Sequence, residues 1–180
     1  MSRSYYYLVA FLPSIEFGAK PSFFSEKFEN RCREQLTSAD FMLIEQVIHL
    51  EDYQLESDNP LINFWKKFNH DLRNEIAWVR ALEANKNPRD HLRGEKNEDR
   101  AVVDVIAKAA EAPDPLSAEQ MIDRARWKYL DELILFHYFD LEVLIAYALK
   151  LKILERYHVI ESPRGKELFK EYTKVEINLN

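Results

Sequence analysis

Residues 59–84, NPLINFWKKFNHDLRNEIAWVRALEA, decide the fold class. Leu61, Trp65, Phe68, Leu72, Ile76, Val79 and Leu82 or Glu83 step by three or four, which lines them along one stripe of an α-helix. Phe64 and Trp78 widen the stripe, while Asp71, Arg73 and Glu75 are expected to face away from it. Asn59 can cap the first free N–H groups, and Pro60 suits the first helical position, where its missing N–H costs nothing. The segment reads as a long amphipathic helix.

The same start signals recur on either side. Pro21-Ser22 opens a segment to about Leu36, and Thr37 or Ser38 caps another, Asp40 to about Leu50. Asp99 to Glu111 reads as a modest helix, set off by Pro113 and Pro115 from one that Ser117 and Gln120 open in a capping-box pattern. From Ser117 to His158 there is no Gly or Pro, and Asp140 is placed to divide that stretch into two helices. Ser162-Pro163 opens a short last one. The expectation is an all-α chain, residues 1–180 forming one helical domain of about six helices, several of them long. Residues 85–100 are almost wholly polar and read as a mobile surface loop.

The Leu141–Tyr157 segment differs from the rest. Leu141, Leu144, Ala148 and Leu151 form one stripe, Val143, Tyr147 and Leu154 another, with Ile145, Leu149 and Ile153 between. A helix apolar nearly all round is central in its bundle or covered by a partner. In a chain this short the second is the expectation. Tyr5 to Leu12, apolar and aromatic, is read as core, since Pro13 and Glu16 interrupt it before it could serve as a signal-peptide core.

Composition removes several functions. The 180 residues include only three glycines, Gly18, Gly94 and Gly165, lying far apart. Dinucleotide and phosphate-loop folds need them clustered to bring backbone N–H groups against phosphate. One cysteine, Cys32, excludes a disulfide framework and a cysteine zinc site, and suits a reducing cytoplasm. The net charge of −6 argues against nucleic acid, whose binders neutralise phosphates with cations. Residues 1–90 carry 11 basic and 14 acidic side chains and residues 91–180 carry 14 and 17, so neither half forms a charged tail. No window reaches the roughly 18 uncharged apolar residues of a membrane span, so no membrane insertion is expected.

Chemistry-bearing patterns are sparse. Of His49, His70, His91, His137 and His158, only His158 completes a Glu-x-x-His pattern, with Glu155, and a di-iron bundle needs two such pairs plus two further inward Glu residues. His137 reads as a satisfied core histidine. Cys32 lies between Arg31 and Arg33, but neighbours in sequence diverge on a helix. No Gly-x-Ser-x-Gly elbow occurs. Arg124, Arg126, Trp127, Lys128 and Tyr129 alternate with Asp123, Asp131 and Glu132, which suggests an ion-paired helix face. Arg164-Gly165-Lys166, at a helix start, could meet an anion.

Three stretches nonetheless resemble a bacterial family related to the C-type subunit of V-type (A/V-type) ATP synthases, which is called d in the eukaryotic enzyme. They are Ser4-Tyr5-Tyr6-Tyr7-Leu8-Val9-Ala10-Phe11-Leu12-Pro13 with Gly18 and Pro21-Ser22-Phe23; then Asn69, Leu72-Arg73-Asn74-Glu75 and Val79-Arg80-Ala81; and lastly Phe139-Asp140-Leu141 through Ala146–Tyr157 to Gly165-Lys166. The resemblance implies a non-catalytic, all-α component of a rotary ATPase that couples the central stalk to the membrane ring. It would lie in the cytoplasm, peripheral to the inner membrane through the complex, with no cofactor, metal or active site of its own. This chain departs from the pattern in being about half the length of a typical C-type subunit, which has three similar helical modules. The expected partner surface is the Leu141–Tyr157 helix, through Leu141, Leu144, Tyr147, Leu151 and Leu154, with Arg73, Asn74 and Arg80 as polar anchors. The rival expectations are a carboxylate-bridged metal enzyme using Glu155, His158, Glu132 and Glu45, and an unrelated helical adaptor.

Overall fold

The computed structural model describes residues 4–20, 22–96 and 99–161. Among these the chain forms seven α-helices and no strand: α1 (Tyr6–Ala10), α2 (Ser25–Gln35), α3 (Ser38–His49), α4 (Pro60–Glu83), α5 (Arg100–Ala110), α6 (Pro115–Leu133) and α7 (Leu141–Glu161). The all-α class is therefore as expected. No helix among the described residues is long and apolar enough to cross a membrane. The helix expected from Ser162-Pro163 and the Arg164-Gly165-Lys166 triplet lie outside the described residues.

The helices begin where capping chemistry permits. Asn59 Oδ1 accepts the N–H groups of Leu61 at 3.0 Å and Ile62 at 3.4 Å, Asp99 accepts that of Ala101 at 2.9 Å, and Asp140 that of Val143 at 3.4 Å. Thr37 Oγ1 takes the Asp40 N–H at 3.2 Å. The helix expected to open at Ser117 starts earlier. Asp114 is its cap and Pro115 its first residue, and the Ser117 N–H and hydroxyl both donate to the Asp114 carboxylate. Those two bonds hold the Asp114 carboxyl below its usual range.

The chain divides into two compact units, one formed by the residues up to Ile48 together with those from Phe139, the other by His49–Tyr138. In the first unit α7 is the hub. Leu144, Ile145, Ala146, Ala148, Leu149, Leu151, Ile153 and Leu154 are all buried, on every side of the helix. Segments of the same unit reach it at several points. Phe28 of α2 packs 5.2 Å from the Tyr147 ring, the Tyr147 hydroxyl donates to the Pro13 carbonyl at 2.9 Å, and Lys152 Nζ donates to the Val47 carbonyl near the end of α3 at 3.0 Å. Glu155 accepts both the backbone N–H and the hydroxyl of Ser25 at the start of α2.

In the second unit α4 packs with α5 and α6 around Leu72, Val102, Ile106, Ala109 and Ile122, with Phe68, Ile76, Val79, Val105 and Ala118 packed against them. Phe68 stacks on Tyr129, ring centroids 4.1 Å apart. Three expectations for α4 need correction, the first being that Leu82 or Glu83 would close the apolar stripe, since both are exposed. Phe64, placed on the apolar stripe, is exposed, and Glu75, placed on the polar side, is only 4% exposed. Helix α4 ends in a Schellman turn: Asn85 adopts φ 54°, the Lys86 N–H returns to Ala81 at 2.8 Å and the Asn85 N–H to Leu82 at 3.0 Å. The polar segment that follows carries a 3-10 turn at Pro88–His91, and Asn74 binds the Arg93 backbone in both directions, each bond 3.0 Å.

Candidate functional site

The first unit carries an aromatic surface on α1. Three aromatics in a row cannot all face one core, because each step along a helix turns the side chain by about 100°. Tyr5 and Leu8 are buried, whereas Tyr6 is 53% exposed and Tyr7 and Phe11 are each 73% exposed. Tyr7 and Phe11, four residues apart, share one side of the helix. The Tyr6 ring lies 4.7 Å from that of Phe139 and meets Tyr7 edge-on at 5.6 Å. The reading of Tyr5 to Leu12 as core thus holds for Tyr5 and Leu8 and fails for Tyr6, Tyr7 and Phe11.

This surface is fastened at several points. The Tyr5 N–H donates to the Phe139 carbonyl, and the Tyr5 hydroxyl donates to Asp40 at the start of α3. Burial, and then the hydrogen bond to Asp40, raise the Tyr5 phenol above its ordinary range. Arg31 of α2 donates to the Phe11 carbonyl at 3.1 Å. A five-residue helix has little stability of its own, and these bonds to neighbouring elements fix its position.

The residues expected to meet a partner fall in different places. Leu144, Leu151 and Leu154 are buried, and Leu141 and Tyr147 are half-buried. Arg73 is exposed and pairs through both terminal guanidinium nitrogens with Asp52. Asn74 is buried against Arg93. Arg80, exposed, lines a cavity of about 520 Å³ floored by Ile76, Val79, Ile106 and Ile122.

Cys32 is wholly buried, and burial followed by the nearby Glu29 charge pushes its thiol up to about 12, the reverse of an activated nucleophile. Arg33 pairs with Glu29 at 2.8 Å. Glu155 is bound to Ser25, and His158 lies against Phe24, centroids 5.2 Å apart. Glu132 pairs with Lys128 at 3.6 Å and Glu45 is half-buried. His137 is half-buried, and its backbone N–H closes the turn after α6 on the Ile134 carbonyl at 2.9 Å. In the basic-aromatic run of α6, Arg126 and Tyr129 turn inward, to Asp123 and Phe68.

A family model described as "Protein of unknown function (DUF2764)" matches residues 86–176, just over half of the chain, a range that takes in α5, α6 and α7. No match is found among curated proteins or among solved structures.

Proposed function

The chain belongs to the DUF2764 family, and we propose that it is a non-catalytic component of a V-type (A/V-type) rotary ATPase, similar to the C-type subunit and docking between the central stalk and the membrane ring. It would reside in the cytoplasm, held at the inner membrane by its partners. The resemblance in sequence motivates the reading, and one observation carries it further. The opening stretch that bears the resemblance, Ser4 to Pro13, is the stretch whose Tyr6, Tyr7 and Phe11 project outward. Contiguous exposed aromatics on a fixed support are a usual mark of a protein interface, where they contribute large contact area at low entropic cost. Transmitting torque requires that contact to be stiff. The attachment of α1 to Asp40, Phe139 and Arg31 supplies that stiffness.

The partner surface proposed is accordingly α1 with Phe139, in place of Leu144, Leu151 and Leu154. The test is affinity capture of the tagged full chain from its own cell. Rotary-ATPase stalk components are expected in the eluate, and Tyr7→Ser with Phe11→Ser should remove them while thermal unfolding of the variant matches the parent. An eluate from the parent chain without any rotary-ATPase component overturns the assignment.

A further inference from the structure

In the second unit two connections cross the same outer side of α4. The 3-10 turn Asp52–Gln54 is fastened there by Arg73 to Asp52 and by Lys66 Nζ to the Leu55 carbonyl. The segment around Arg93 is fastened by Asn74. Between them lies a cavity of about 380 Å³, within the range of small-ligand sites. Its walls carry Lys66, Lys67, Arg73 and Arg93, with His70 on α4 between them and Tyr53, 65% exposed, at the mouth.

The charges do not balance. Four Lys and Arg cations face the carboxylate of Asp52 in the wall and that of Asp71, which pairs with Lys67 at 2.6 Å. Four basic residues against two acidic ones thus border one concavity of a chain whose net charge is −6. The Arg93 guanidinium has no hydrogen-bond or ion-pair partner among the described residues, although its backbone is held by a side chain only 3% exposed. The fold therefore fixes the base of Arg93 and leaves its five donors free.

We infer that this cavity binds a phosphate group, as the free dianion or on a small phosphorylated molecule. Its donors come from different directions: Lys67 and His70 from α4, and Arg93 from the connection across it. A tetrahedral oxyanion can accept from several directions at once, whereas a carboxylate accepts chiefly in one plane. A dianion would also cancel the local excess charge, and the exposed Tyr53 ring offers an apolar surface for whatever the phosphate is attached to.

Titration of the 15N-labelled full chain with inorganic phosphate and with pyrophosphate, at fixed ionic strength, tests the site. Saturable shifts are expected at the Asn74 side chain and the Arg93 amide. Arg93→Ala and Lys67→Ala should each weaken pyrophosphate binding about tenfold, the scale of one lost charge-assisted hydrogen bond. Lys20→Ala, an exposed cation outside the cavity, should leave it unchanged. Linear, unsaturated shifts, or equal affinity in Arg93→Ala, would overturn the inference. So would a glutamate-rich peptide that binds the cavity more tightly than pyrophosphate, since the ligand class would then be an acidic protein segment.

Discussion

Arg126 of α6 joins Asn69 of α4 through a 2.8 Å hydrogen bond from Nε to Oδ1. The same guanidinium reaches Asp123 at 2.6 Å and Glu119 at 3.4 Å, and the Asn69 amide passes on to the Trp65 carbonyl at 3.0 Å. Asp123 is 1% exposed, so its charge is balanced by a neighbour and not by water. Removing one member leaves another stranded, at a higher cost than the pair itself is worth. Arg126→Met should lower the unfolding free energy by about 3–5 kcal/mol, and Asn69→Leu by about 1–3 kcal/mol, as measured by urea titration. A loss below about 1 kcal/mol for Arg126→Met would mean that the bonds behave as a surface contact.

Glu75 poses the opposite case. It is 4% exposed and its Oε2 has no hydrogen-bond partner among the described residues. A carboxylate oxygen removed from water without compensation destabilises the fold. Methionine has a similar length and no polar oxygen, so Glu75→Met should raise the urea midpoint, by about 1–2 kcal/mol in stability. A lowered midpoint would show that the carboxylate makes a contribution the static arrangement conceals.

Tyr147 gives the first unit an alkaline limit. Burial pushes its phenol up from the ordinary 10.0 to about 12, with the Arg31 charge acting in the other direction. The folded chain therefore keeps a proton that the unfolded chain releases between those two values. Its contribution is complete below pH 10.0 and is lost as the pH rises toward about 12. Thermal unfolding followed across that interval should show a declining midpoint, and Tyr147→Phe should flatten the decline. An identical slope in the variant would place the alkaline sensitivity elsewhere.

Much of this architecture is legible residue by residue. Asn59, Asp99 and Asp140 cap the helices that their positions predict, because a cap is a local hydrogen bond and needs no tertiary knowledge. Asp114-Pro115 carries the same signature as Asn59-Pro60, yet the nearby Ser117 and Gln120 draw the reading three residues too late. The α1 surface was within reach: the run Tyr5-Tyr6-Tyr7 turns through too wide an arc for one core to absorb. Helix α7 was not. An all-round apolar helix looks the same in sequence whether its cover is its own chain or another. Nor could spacing place Arg93 over α4, because its attachment to Asn74 bridges 19 positions.

A discontinuous first unit imposes an order on assembly. The second unit is one unbroken length of chain and can consolidate as soon as it has been synthesised. Helices α1 to α3, made first, have no hub to pack on until residues 141–161 emerge. Until then Leu8, Phe28, Ile44 and Val47 lack that cover, which makes the segment before α4 the one most in need of chaperone protection.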